Sequence, residues 1–157
     1  MMNTQNKLLL VLSPHVYSDN AIDYAVKRAS DEGRVLVAFF LLESELAEEV
    51  SDKFSDIGFT GDRPSATLSE SLMREYRQRG YEALGRVQIK AMEAGVDFEP
   101  LMDEGPYVST ILGAITAHDI GLTVIQERRE RSFLHYFKKG LPVQVKEAAS
   151  CEVVIVK

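Results

Sequence analysis

The chain has 157 residues, 45% of them hydrophobic and 27% charged, with a formal net charge of −6 and a single cysteine. That length holds one domain with a real core, so a single domain over residues 1–157 is expected, and neither a disordered chain nor a second large domain fits. The acidic balance argues against general affinity for nucleic acid, which takes a basic surface. A lone thiol, Cys151, cannot close an internal disulfide and points to a reducing, cytoplasmic compartment.

The polar stretch Met1 to Asn6 leads into the short apolar run Leu8 to Leu12, too brief for a secretory h-region, so export is not expected. Lys7 to Leu12 reads as a first strand, ending at Ser13-Pro14. Ser18 or Asp19 then caps a helix with the stripe Ala21, Ile22, Ala25, Val26 and Ala29, stopped by Gly33. Val35 to Leu42 is apolar at every position, the mark of a central strand covered on both faces. It is less than half a membrane span.

The acidic stretch Glu43 to Ser65 carries a weak stripe (Leu46, Val50, Phe54, Ile57) and the breakers Gly58, Gly61 and Pro64. It reads as a long connection with a short helix. Thr67 and Glu70 have capping-box spacing and open a long helix that buries Leu68, Leu72, Leu84, Val87 and Ala91, is weakened by Gly80 and Gly85, and stops at Gly95. Val96 to Met102 is the third strand. After Gly105-Pro106 comes a helix with Val108, Ile111, Leu112 and Ile115 on one face. Ile120 to Gln126 is a fourth strand; Leu141, Val145, Ala148 and Ala149 mark a last helix, and Cys151 to Val156 a last strand. Strands alternating with helices predict a parallel α/β sheet.

Two stretches are similar to a known family. Glu104-Gly105-Pro106, Ile111-Leu112 and His118-Asp119-Ile120-Gly121-Leu122-Thr123-Val124-Ile125 resemble the glycine turn, third helix, "HD" corner and fourth strand of the universal stress proteins. Ala149-Ser150-Cys151-Glu152-Val153-Val154-Ile155-Val156 resembles the family's ending, and the likeness covers essentially the whole chain. It implies a three-layer, open, five-stranded parallel sheet in the order 3-2-1-4-5, Rossmann-like and akin to the adenine-nucleotide α-hydrolases. Ligands would sit at the carboxyl ends of strands 1 and 4.

The family's nucleotide-binding branch places Gly-x2-Gly-x9-Gly-Ser/Thr after strand 4, where bare glycines admit phosphates to backbone amides. Counted back from Cys151, those positions fall here on Gln126, Arg129, Lys139 and Gly140, so three glycines are replaced and the hydroxyl is lost. An acidic residue ends strand 1 in that branch; Ser13 stands here, and the following Pro14 removes a backbone donor. The resemblance therefore implies the branch that does not hold ATP by the glycine motif, with no cofactor. ATP with magnesium in an atypical phosphate site is the alternative.

The basic segment Arg128 to Lys139 contains Arg128, Arg129, Arg131, Lys138 and Lys139 with His135 among them. It reads first as a solvated face pairing with the acidic connection, and second as a site for an anion or an acidic partner. His15, His118 and His135 lack metal-ligand spacing, no Gly-x-Ser-x-Gly elbow is present, and Cys151 has no base beside it in sequence. Glu43, Glu45, Glu48 and Glu49 spread around a weak helix, and Tyr76, Tyr81, Tyr107 and Tyr136 read as packing residues with wet hydroxyls. A phosphoacceptor receiver domain using Asp103 would need an acidic pair after strand 1, where Ser13, Pro14 and His15 stand.

The final strand is an apolar edge in the implied order, and in the family it commonly pairs with its own copy. A homodimer through Val153, Val154, Ile155 and Val156 is expected. The leading functional expectation is a cytoplasmic, non-enzymatic stress-response module acting through dimerisation and protein partners as yet unidentified. The runner-up is a sensor of ATP or AMP.

Overall fold

The structure, a computed structural model, describes residues 6–14, 18–43, 62–127 and 140–157, with the backbone alone for 62–69. The elements are β1 (Lys7–Leu12), α1 (Asn20–Glu32), β2 (Val35–Glu43), α2 (Asp62–Glu93), β3 (Phe98–Gly105), α3 (Tyr107–Ala117), β4 (Leu122–Gln126), α4 (Leu141–Ala148) and β5 (Glu152–Val156). The five strands form one sheet in the order β3-β2-β1-β4-β5, every neighbouring pair parallel. Both the fold class and the strand order are as expected.

The pleat divides each central strand between two cores. Leu8, Leu10 and Leu12 of β1 join Leu36, Ala38, Phe40 and Leu42 of β2 beneath α1 and α2. Leu9 and Val11 turn to the other face with Val37, Phe39 and Leu41, against Tyr107, Ile111 and Ile115 of α3 and Val145 of α4. A strand sandwiched in this way has no polar face, which is why β1 and β2 are apolar runs without alternation. The predicted stripe of α1 is buried in full, and Gly33 closes that helix at φ 64, bonding back to Ala29.

Several boundaries differ from expectation. The long helix begins at Asp62, so Thr67 lies inside it and not at its cap, and Pro64 falls in its first turn. A proline there forfeits no helical hydrogen bond, so a residue read as a breaker is an opener. Gly80 is required and does not merely weaken the helix: a Cβ there would lie 2.6 Å from Met102 Cε and 2.7 Å from Phe40 Cδ1, so the glycine lets α2 approach the sheet. β3 starts at Phe98, because Val96 still serves the helix end, its N–H donating to Ala91 O at 2.8 Å after Gly95 turns at φ 69. It runs on to Gly105 since β2 is long enough to pair that far, as Glu43↔Gly105.

β4 starts at Leu122 because Ile120 N–H is committed to Ile115 O at 3.0 Å and Asp119 turns the corner at φ 52. Cys151 lies just ahead of β5. The short helix read between Glu43 and Ser65, and the basic segment after β4, lie outside the described residues. No described helix is long and apolar enough to cross a membrane.

Candidate functional site

Strand order reverses direction at β1: β2 lies on one side of it and β4 on the other, and the crevice of such a sheet opens at the carboxyl ends of these two strands. The register Val11↔Ile125 brings Leu12 and Ser13 level with Gln126 and Glu127 at that end, beneath the start of α1. The first turn of a helix presents unsatisfied N–H groups and a partial positive charge. Asp19, at the N-cap position of α1, makes no side-chain cap bond. Its carboxylate is instead 3.6 Å from Lys90 Nζ and 3.8 Å from Arg86 on α2. Ser18 contributes to the turn, its hydroxyl accepting from Asn20 N–H at 3.1 Å.

Gln126 does what the cap residue does not. Gln126 is 6% exposed. Its Oε1 accepts from Ala21 N–H at 3.0 Å, and its Nε2 donates to Val156 O at 3.1 Å. The same Val156 oxygen accepts from Glu127 N–H at 2.7 Å, and Asn20 Nδ2 donates to Lys157 O at 3.1 Å. One carboxamide thus plugs the space between the α1 N-terminus and the end of β5. Beside it Ser13 is 6% exposed, and its Oγ is buried without a hydrogen-bond partner among the described residues.

Of the positions expected to form the site, the structure brings Ser13 and Gln126 to one end of the sheet. Gly140 is the N-cap residue of α4, its carbonyl accepting from Gln144 N–H at 3.1 Å. Arg129 and Lys139, with the rest of the Arg128 to Lys139 cluster, lie outside the described residues, as do His15, His135 and Tyr136. Sequence reasoning identified Gln126 as the substitute for a glycine but missed its two-sided bridge. Its partners are 105 and 30 residues away, and no local spacing encodes them.

Asp103 lies on β3, an edge strand, with β2 between it and β1. A receiver sheet, ordered 2-1-3-4-5, needs its third strand beside the first, so the topology removes that reading. Among the described residues no group of three His, Cys, Asp or Glu side chains could hold a metal ion. Cys151 is half-buried, its Sγ 3.4 Å from Thr123 Oγ1. Of the tyrosines read as having wet hydroxyls, Tyr81 is exposed, whereas Tyr107 is buried in the α3 layer. Among the described residues β5 is an edge with β4 as its only strand neighbour; Val154 and Val156 pack toward the α1 side, Val153 toward α3, and half-exposed Ile155 belongs to neither core.

No protein-family model matches the chain, and no curated protein matches its sequence. Solved structures do match its fold. The universal stress protein UspA of Lactobacillus plantarum superposes with a TM-score of 0.70 at 17% identity, over 99% of this chain and 100% of that one. A universal stress protein family member from Burkholderia pseudomallei gives 0.69 at 16% identity, over 99% and 98%. The universal stress protein of Archaeoglobus fulgidus in complex with dAMP gives 0.60 at 16% identity, over 96% and 97%. The fold of this chain is the universal stress protein fold.

Proposed function

We propose that this chain is a cytoplasmic universal stress protein that works without turnover, as a homodimeric binding module, and that does not hold ATP through a glycine motif. The observation that carries the reading is the Gln126 bridge. At the strand 4 position where the nucleotide-binding branch has its first glycine, a buried carboxamide occupies the crevice and takes the Ala21 N–H. A phosphate arriving at the α1 N-terminus would have to displace it, leaving a buried amide short of partners. Pro14 supports the same reading, since it withdraws a backbone donor at the end of β1.

The test is calorimetric titration of nucleotide-stripped protein with ATP and magnesium, and with AMP, alongside mass spectrometry of whatever copurifies. The wild-type chain is expected to give no saturable heat, and Gln126→Gly to gain none without further glycines. Saturable micromolar binding by the wild type would sink the proposal in favour of a nucleotide sensor. Two observations favour that second reading: the buried Ser13 Oγ, without a hydrogen-bond partner among the described residues, lies at the same end of the sheet, and the Archaeoglobus relative of this fold is in complex with dAMP.

A further inference from the structure

Among the described residues, the three most exposed large apolar side chains lie on one helix, away from the crevice. Tyr81, Ile89 and Met92 are 62%, 59% and 70% exposed. With Gly85 they fall at i, i+4, i+8 and i+11 along α2, and so form one stripe on the helix surface. The stripe borders a groove of about 470 Å³ whose walls include Leu84, Phe98, Pro100 and Met102, between α2 and the edge strand β3. β3 itself is guarded against strand addition: Pro100 has no N–H to offer, and Glu99, Asp103 and Glu104 are exposed. Whatever covers this face does so through side chains and the helix.

Gly85 is set apart by its surroundings: an added Cβ would also meet nothing at Gly113 of α3, but only Gly85 is flanked by exposed large apolar side chains among the described residues. Gly80 is explained by the sheet beneath it, but a Cβ at Gly85 would meet nothing within 4 Å. The fold of one chain gives no steric reason for glycine in the middle of a helix, where it is disfavoured relative to alanine. A bare backbone at the centre of an exposed apolar stripe is what a second helix needs in order to approach closely.

We propose that this α2 face is a self-association surface, with two copies of the chain packing α2 antiparallel across a two-fold axis at Gly85. That operation brings residue i opposite residue 170 − i, a relation fixed by choosing Gly85 as centre. Tyr81 then faces Ile89 of the second copy and Gln78 faces Met92. Exposed Glu82 lies two residues out of that register from Arg86 of the second copy, within reach of a guanidinium that in one chain lies 3.8 Å from Asp19, and the contact repeats by symmetry. Glycine meets glycine, Tyr81 meets Ile89, and an acid comes within reach of a base. The stretch Gln78–Met92 rises about 22 Å, long enough for several turns of contact. This surface is at the β3 edge, the opposite end of the sheet from β5, so it does not compete with a β5 contact.

The test uses the full chain with Ile155→Lys, which places a charge on the β5 edge. Sedimentation over a concentration series is expected to show a reversible dimer, and adding Ile89→Glu to weaken it by about tenfold or more. A second readout places a thiol at the axis: Gly85→Cys in a Cys151→Ser chain is expected to form a disulfide-linked dimer on mild oxidation, whereas Lys27→Cys in the same background is not. A monomer at all concentrations, which leaves the face to another protein or to residues 44–61 of the same chain, overturns the proposal. So does a dimer indifferent to Ile89→Glu, or a Gly85→Cys chain that never cross-links.

Discussion

Gln126 and the two α2 glycines show how single residues carry different obligations. Gln126→Met keeps the volume of the side chain and removes both of its hydrogen bonds, leaving Ala21 N–H buried at a helix start while Val156 O retains Glu127. Stranding one buried polar group costs about 1–3 kcal/mol. Thermal unfolding should therefore fall by roughly 2–4 °C per kcal/mol in a chain of this size. An unchanged transition would mean that the carboxamide is ornamental. For the glycines, the same substitution should act in opposite directions. Gly80→Ala drives a methyl into Phe40 and Met102 and should destabilise by about 1–3 kcal/mol, as overpacking does. Gly85→Ala meets nothing and should stabilise the isolated chain by about 0.5–1 kcal/mol through the helix propensity of alanine. Denaturant titration of the two variants reads both signs.

At the level of elements, α1 is held to its neighbours by ion pairs as well as by its buried stripe. Lys90 Nζ on α2 lies 2.5 Å from Asp23 and 3.6 Å from Asp19. Glu32 bonds Arg28 and Arg34, and Arg28 also reaches Glu152 at the start of β5, at 3.8 Å. The Arg28 hydrogen bond, helped by Arg34 and opposed by burial, holds the Glu32 carboxyl below its ordinary value. A depressed acid contributes stability that is present above its unfolded value, about 4.3, and is lost as pH falls through the lower folded value. Acid unfolding of Glu32→Gln should thus lack part of the pH dependence seen below about pH 4.5, by no more than about 1 kcal/mol for so exposed a pair. Identical acid profiles would contradict it.

Elements with one strong local signal were legible in the sequence: the apolar runs of β1 and β2, the α1 stripe and its Gly33 stop. Boundaries set by a neighbour were not. β3 extends to Gly105 because β2 is there to pair with it, although Glu99, Pro100, Asp103 and Glu104 are polar or poor strand formers. The start of β4 depends on Ile120 N–H turning back to Ile115, a commitment that composition does not reveal. Tyr107 read as a residue with a wet hydroxyl because a first-turn tyrosine after Pro106 gives no hint that α3 buries it against β1 and β2.

For the whole molecule, the sheet ends in two unlike edges. β3 carries proline and three exposed carboxylates, whereas β5 is charged only at its first residue, Glu152, and continues as Val153, Val154, Ile155 and Val156, so β5 is the edge better fit to continue the sheet into a second copy. The two proposed contacts are each symmetric and lie at opposite ends of the sheet. Together they would join dimers into larger assemblies, closed if the two axes are compatible and open if not. Each contact is isolated by disabling the other. With Ile89→Glu closing the α2 face, the chain should still sediment as a dimer, held by backbone pairing and by Val153 to Val156, with exposed Glu152 as the one charge on that strand. Adding Ile155→Lys to that chain should return it to monomer. With Ile155→Lys alone, the remaining dimer should weaken as salt rises, since Glu82 and Arg86 meet at an exposed rim. If Ile89→Glu alone already yields a monomer, β5 does not pair, and the homodimer proposed for this chain belongs to α2.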